Sequence, residues 1–148
     1  MTLGAMRVTE LYHITERPVW EAASAAGEYR MSTRGVALDE QGFIHLSLRH
    51  QLRAVAEFVY GDADDLVVLV IDSTRVTAPV RYEAPEPGAQ PYPHLYGPLS
   101  TDAVIAVLPV GRDETGKMLL PGNGATATLT GADRTRQVPE EGDVRERQ

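Results

Sequence analysis

The chain of 148 residues contains no cysteine, which removes disulfides, thiolate nucleophiles and cysteine-ligated zinc from the chemistry open to it. Lysine is nearly absent, with Lys117 the only one, and the formal net charge is −7. A broad cationic surface for tracking a nucleic-acid backbone is therefore not expected. Any phosphate would have to be held by a local arginine cluster. Long apolar runs are missing as well: none approaches the roughly 20 residues that span a bilayer, and residues 1–7 carry no stretch resembling a signal peptide. These absences point to a cytoplasmic protein with small-molecule partners, without a membrane role.

Hydrophobic residues make up 43% and charged residues 24%, the balance of a folded globular body, and the length suits one domain better than two. That domain is expected over residues 1–121. Residues 122–148 run through Gly, Ala and Thr into charged side chains with almost no large apolar group, and are expected to be a disordered tail.

The pattern along the body predicts a mixed α+β order. A strand is expected over Val8 to Ile14, followed by a helix over Glu16 to Ala26 with Thr15 as N-cap, Pro18 in its first turn and Gly27 at its end. Val19, Trp20, Ala22, Ala23 and Ala26 form its apolar stripe, which makes Trp20 a core residue. Tyr29 to Gln41 reads as a loop with at most a short strand. Gly42 to Leu46 reads as a strand, with Ser47 as the N-cap of a second helix whose apolar face is Leu48, Leu52, Val55, Ala56 and Val59. After an acidic turn at Asp62 to Asp65, the continuous apolar run Leu66 to Ile71 predicts a central strand buried on both faces. Val80 to Glu83 is expected as a strand, Ala84 to Pro93 with its four prolines as a loop, Ala103 to Val110 as a strand, and Lys117 to Leu120 as its short return.

Three of the four histidines stand in short aromatic segments: Leu11-Tyr12-His13-Ile14-Thr15, Gly42-Phe43-Ile44-His45-Leu46-Ser47 and Tyr92-Pro93-His94-Leu95-Tyr96. Imidazole donates, accepts or carries a proton near neutral pH, so one pocket assembled from these segments would be chemically capable. A single histidine on a strand is more often a satisfied structural group; three in similar settings shift the balance. His13 and His45 each precede an expected helix N-cap, Thr15 or Ser47, where backbone N–H groups favour an anion. Arg49 and Arg53, one helical turn apart, would reach a phosphate near Ser47 or else form a solvated face; His50 between them is the weakest of the four histidines. Tyr92, His94 and Tyr96 alternate, which in an extended segment makes an aromatic wall containing an imidazole. Glu83 is the best-placed carboxylate beside that wall, and Arg81 is expected to pair with it at the surface.

Leu-Tyr-His-Ile-Thr, Gly-Phe-Ile-His-Leu-Ser, Val-Arg-Tyr-Glu and Pro-His-Leu-Tyr-Gly-Pro occur here in the order in which the bacterial domain-of-unknown-function 952 family carries them, and the chain resembles that family over about Glu10 to Leu120. The resemblance implies an ADP-ribosyltransferase-like fold, a split β-sheet with flanking helices that clasps NAD. It implies that His13 bonds the nicotinamide ribose, with Ile14 where a glycine is usual, and that His45 and Phe43 lie near the nicotinamide. The glutamate expected on a late strand has no counterpart between Pro93 and Val110, and Glu83 is the nearest candidate. RNA 2′-phosphotransferases, which rely on histidine and arginine instead, share a similar fold.

The function expected from this reading is an NAD-utilising enzyme acting at the ribosyl C1′ or on a phosphorylated ribose, of the ADP-ribosyltransferase or NAD glycohydrolase kind. His13, His45, Glu83 and His94 are its catalytic candidates. Tyr12, Thr15, Phe43, Ser47, Arg49, Arg53, Tyr92 and Tyr96 are its ligand-binding candidates. NAD is the expected ligand and no metal is expected. The alternatives are a nucleotide or phosphometabolite binder without turnover, and a hydrolase whose metal is held by His13, His45 and His94.

Overall fold

The computed structural model describes residues 9–121. The expected tail lies outside the described residues, as does the first expected strand residue, Val8. The described chain is a mixed α+β domain built from several small antiparallel sheets.

Its centre is β6 (Leu66–Asp72), which pairs antiparallel with β1 (Glu10–Glu16) on one side and β10 (Val104–Pro109) on the other. All seven residues of β6 are buried. Val67, Leu69 and Ile71 enter one hydrophobic cluster, and Leu66, Val68 and Val70 enter another. The unbroken apolar run is explained by this: successive side chains alternate faces, and both faces are covered. Helix α1 (Arg17–Ala26) packs Val19, Trp20 and Ala23 on the first cluster. Helix α3 (Leu52–Tyr60) buries Leu52, Ala56 and Tyr60 in the second, with Val55 and Val59 half-buried beside them.

A second three-stranded sheet has β8 (Tyr92–Leu95) between β5 (Ile44–His45) and β7 (Val80–Glu83). It joins the first where Tyr12 and Ser47 exchange backbone hydrogen bonds of 2.8 Å in each direction. Ile44 and Leu95 face the first cluster, and Val80 packs against it. Alternation therefore turns His45, His94, Arg81 and Glu83 to the opposite face.

Two further short pairs are β2 (Glu28–Tyr29) with β9 (Leu99–Ser100), and β3 (Met31–Thr33) with β4 (Val36–Ala37). The segment from Tyr29 to Gln41, expected as loop, thus holds strands and a one-turn helix, α2 (Leu38–Gln41). The return after β10 is a hairpin of β11 (Gly111–Arg112) and β12 (Met118–Leu119), so the expected return strand pairs with residues 111–112 and not with β10.

Neither expected N-cap caps a helix. Thr15 is still in β1, and α1 is capped by Glu16 without a side-chain bond; the Arg17 N–H is satisfied instead by the Asp65 carbonyl at 2.8 Å. Ser47 spends its backbone on Tyr12, and the chain enters α3 through a 3₁₀ turn, Arg49–Gln51. There the Gln51 side chain accepts the Leu48 N–H at 2.9 Å and donates to the Pro91 carbonyl at 2.8 Å. A strand pairing won both residues, so the two helix N-termini do not open beside His13 and His45. At the other end of α1, Gly27 terminates the helix as expected, at φ 86°, a left-handed conformation that costs glycine little.

The proline segment also departs from expectation. Pro93 and His94 lie in β8, the central strand of their sheet. Pro93 is tolerated because its carbonyl alone is used, accepting the Leu46 N–H at 2.9 Å. Among the described residues no helix is long and apolar enough to cross a membrane.

Candidate functional site

The outward face of the β5–β8–β7 sheet gathers six of the site candidates singled out in the sequence: Phe43, His45, Glu83, Tyr92, His94 and Tyr96. Phe43 stacks on His94 with ring centroids 4.0 Å apart and planes 12° apart. His45 meets His94 edge-on at 5.0 Å, and Phe43 meets Tyr96 at 5.3 Å. Glu83 Oε1 accepts the His94 Nδ1–H at 2.8 Å and the Tyr96 hydroxyl at 2.6 Å. These two bonds, the tyrosine's first, hold the Glu83 carboxyl below the ordinary carboxylate range, and the same contact pushes the Tyr96 hydroxyl upward. Because a carboxylate only accepts, Nδ1 of His94 carries the proton toward it, and Nε2 is left as the ring's second nitrogen. His45 is pushed below the usual histidine range by burial and by its neighbour His94. It therefore stays neutral at pH 7.

Tyr92 stands opposite Glu83 in the ladder and is half-buried. Arg81 stands opposite His94, but it does not form the expected ion pair with Glu83. Its guanidinium lies over the Tyr96 ring, 5.1 Å from the centroid. The aromatic groups are packed on one another, so no open slot for a base separates Phe43 from His94.

His13 is adjacent to this face but behind it. It is 4% exposed and points toward the first hydrophobic cluster. Its Nδ1 lies 2.6 Å from the His45 carbonyl and must donate to it, so Nε2 carries the lone pair and takes the proton of the Tyr29 hydroxyl at 2.8 Å. The Tyr29 oxygen is in turn 2.9 Å from Thr15 Oγ1. Burial pushes the His13 imidazole down to about 4, which keeps it neutral. His13 and Thr15 thus fix the backbone that carries His45. The three histidines do not form a ligand triad: both ring nitrogens of His13 are spent inside the protein, and among the described residues no group of three His, Asp or Glu is placed to hold a metal ion.

The remaining candidates lie elsewhere. Tyr12 is buried in the second cluster, with its hydroxyl 2.8 Å from Glu10 Oε1 and 2.8 Å from Arg49 Nη2. Arg53 reaches Glu57 and the Met118 carbonyl. His50 is exposed and its Nε2 is 2.7 Å from Gln90 Oε1. Tyr29 and Arg81 are the two residues the sequence reading did not assign to the site. Tyr29 had no signal beyond being an isolated aromatic, whereas the alternation Arg81-Tyr82-Glu83 placed Arg81 on the Glu83 face.

The profile of a family described as "Protein of unknown function (DUF952)" matches residues 14–107, more than half of the chain. The chain belongs to this family. It is also similar to a solved protein, CC0527 from Caulobacter crescentus, at 30% sequence identity. The crystal structures of CC0527 and of its double mutant superpose with a TM-score of 0.65, covering 75% of this chain and 94% of that one. The solution structure of CC0527 gives 0.60 over 72% and 89%. A comparison with curated proteins found no match. The matched segment of this family member contains His45, Glu83, His94 and Tyr96, and ends within β10.

Proposed function

We propose that this chain is an enzyme of ADP-ribosyltransferase-like fold that binds NAD and acts at its ribosyl C1′, with Glu83 as the group that faces the developing charge. The observation that carries this reading is the double hydrogen bond to Glu83 Oε1 from His94 and Tyr96. Departure of nicotinamide builds oxocarbenium character at C1′, and a carboxylate held ionised stabilises that charge without reorganisation. A general acid would need the opposite shift, a raised carboxyl, so the lowered Glu83 suits electrostatic stabilisation. The Glu83 side chain is 39% exposed, against 10% for His94. Glu83 is therefore the member that meets the substrate, and His94 and Tyr96 orient it.

Neutral His45, with no hydrogen bond from its ring among the described residues, accepts a proton from the attacking hydroxyl or water. Phe43 and Tyr92 give the nicotinamide riboside an apolar edge. His13 positions the His45 backbone. The split between the two three-stranded sheets, joined among the described residues by the Tyr12–Ser47 backbone bridge and the His13 bond to the His45 carbonyl, is the feature of the fold that suits a clasped dinucleotide.

A second reading, nucleotide binding without turnover, is favoured by the lack of any glutamate between Pro93 and Val110, where the resemblance implies the catalytic one. Titration of the full chain with NAD, scored for both heat of binding and free nicotinamide, separates the two. Binding with release supports the enzyme; binding without release supports the second reading; no binding contradicts both.

A further inference from the structure

Across β5, β8 and β7, His45 stands opposite His94, and His94 stands opposite Arg81. Residues opposite one another in antiparallel ladders share a face, so these three form one transverse row, about 5 Å from strand to strand. Glu83 and Tyr92 flank the row on one side, and Phe43 and Tyr96 flank it on the other.

Arg81 differs from every other described arginine. Arg17, Arg30, Arg34, Arg49, Arg53, Arg75 and Arg112 each donate to a carboxylate, carbonyl or hydroxyl oxygen. Arg81 makes no hydrogen bond or ion pair among the described residues, in a chain whose net charge is −7. Glu83, whose carboxylate feels the Arg81 charge without an ion-pair contact to it, has given its Oε1 to His94 and Tyr96. Arg81 is held instead over the ring of Tyr96, and its N–H fork makes no hydrogen bond among the described residues.

We propose that the row His45, His94 and Arg81 is a phosphoryl-binding subsite, and that the ligand of this face is a phosphate ester of a nucleoside. The Arg81 fork suits two phosphate oxygens at once and supplies the fixed charge. His45 offers one N–H even when neutral, and His94, with Nδ1 held by Glu83, offers Nε2–H when protonated. A tetrahedral phosphate with several terminal oxygens can span such a row, whereas a planar carboxylate has two oxygens and fills only the Arg81 fork. The flanking Phe43, Tyr92 and Tyr96 supply the apolar surface that a nucleoside would cover.

This inference shares its location with the proposed reaction but concerns binding, so the two fail separately. The test is titration of the full chain with AMP, adenosine and inorganic phosphate, repeated with R81Q and R81K. Arg81 is exposed, and neither change disturbs the core. AMP is expected to bind at least about tenfold more tightly than adenosine or inorganic phosphate. R81Q should lose that advantage, R81K should recover part of it, and adenosine affinity should not change. Imidazole nitrogen resonances of His45 and His94 should move with AMP. Equal affinity for AMP and adenosine, an R81Q variant that binds AMP like wild type, or no AMP binding would overturn the proposal. Inorganic phosphate binding as tightly as AMP would overturn the assignment to a nucleoside ester. Arg81-dependent binding of AMP by a chain that releases no nicotinamide from NAD would leave the subsite standing and remove the reaction.

Discussion

Glu83 receives the His94 Nδ1–H at 2.8 Å on a carboxylate oxygen that is already held by a tyrosine hydroxyl. The pair is joined across two neighbouring strands, so its geometry is set by backbone pairing and not by two long flexible side chains. That rigidity is what an electrostatic stabiliser requires: the charge must be in place before the transition state forms.

Tyr96→Phe removes the largest of the influences that keep Glu83 ionised. The Glu83 carboxyl should rise toward its ordinary value, and the acid limb of any pH–rate profile should move to higher pH with it. Carbon NMR of the labelled Glu83 carboxyl through an acid titration checks this directly. An unchanged titration would mean that the tyrosine bond does not hold the carboxylate.

His13 makes folding sensitive to mild acid. Its folded value, about 4, lies below the ordinary 6.5, so between those values the unfolded chain binds more protons than the native one. The stabilisation is complete above pH 6.5 and falls as pH drops toward 4, by about 3 kcal/mol at most. Lowered His45 adds in the same direction. His13→Gln should lower stability at pH 7 by about 1–3 kcal/mol, because one of its two buried partners loses its bond, and should flatten this part of the pH dependence. Urea melts at pH 7, 6 and 5 for both proteins make the comparison; parallel curves would contradict it.

Arg49 and Arg53, sequence candidates for a phosphate site, are tied into contacts away from the Glu83 face. Arg49→Ala should leave nucleotide affinity unchanged and cost at most about 1 kcal/mol of stability, the scale of an exposed ion pair. A tenfold loss of NAD or AMP affinity in this variant would move the ligand to the Tyr12 side of the fold.

What was readable in advance follows from periodicity. The run Leu66 to Ile71 specified a strand buried on both faces, and the spacing of Leu48, Leu52, Val55, Ala56 and Val59 specified the face of α3 except at Leu48, which precedes the 3₁₀ turn and packs against the first cluster. The alternation of Tyr92, His94 and Tyr96 put the three on one side, and Glu83, named as the carboxylate beside that segment, bonds His94 and Tyr96. Local chemistry misled where a long-range pairing competed with it. Ser47 has the side chain of an N-cap, yet its backbone pairs with Tyr12, 35 positions away in the numbering. Pro93 argues for a loop, but a central strand accepts it when only its carbonyl is required. The orientation of His13 was equally hidden. Its neighbours Tyr12 and Ile14 are as apolar in character as Leu11, and only the tertiary packing decides which face becomes the one with Tyr29.

The central claim is that Glu83 stabilises charge at the ribosyl C1′ of bound NAD. Chromatographic measurement of nicotinamide released from NAD by the wild-type chain and by Glu83→Gln, side by side and with NAD affinity measured for each, tests it most directly. The account predicts release by the wild type and a rate at least about a hundredfold lower in the variant, with NAD binding retained. No release by the wild type, or equal release by both, would contradict it.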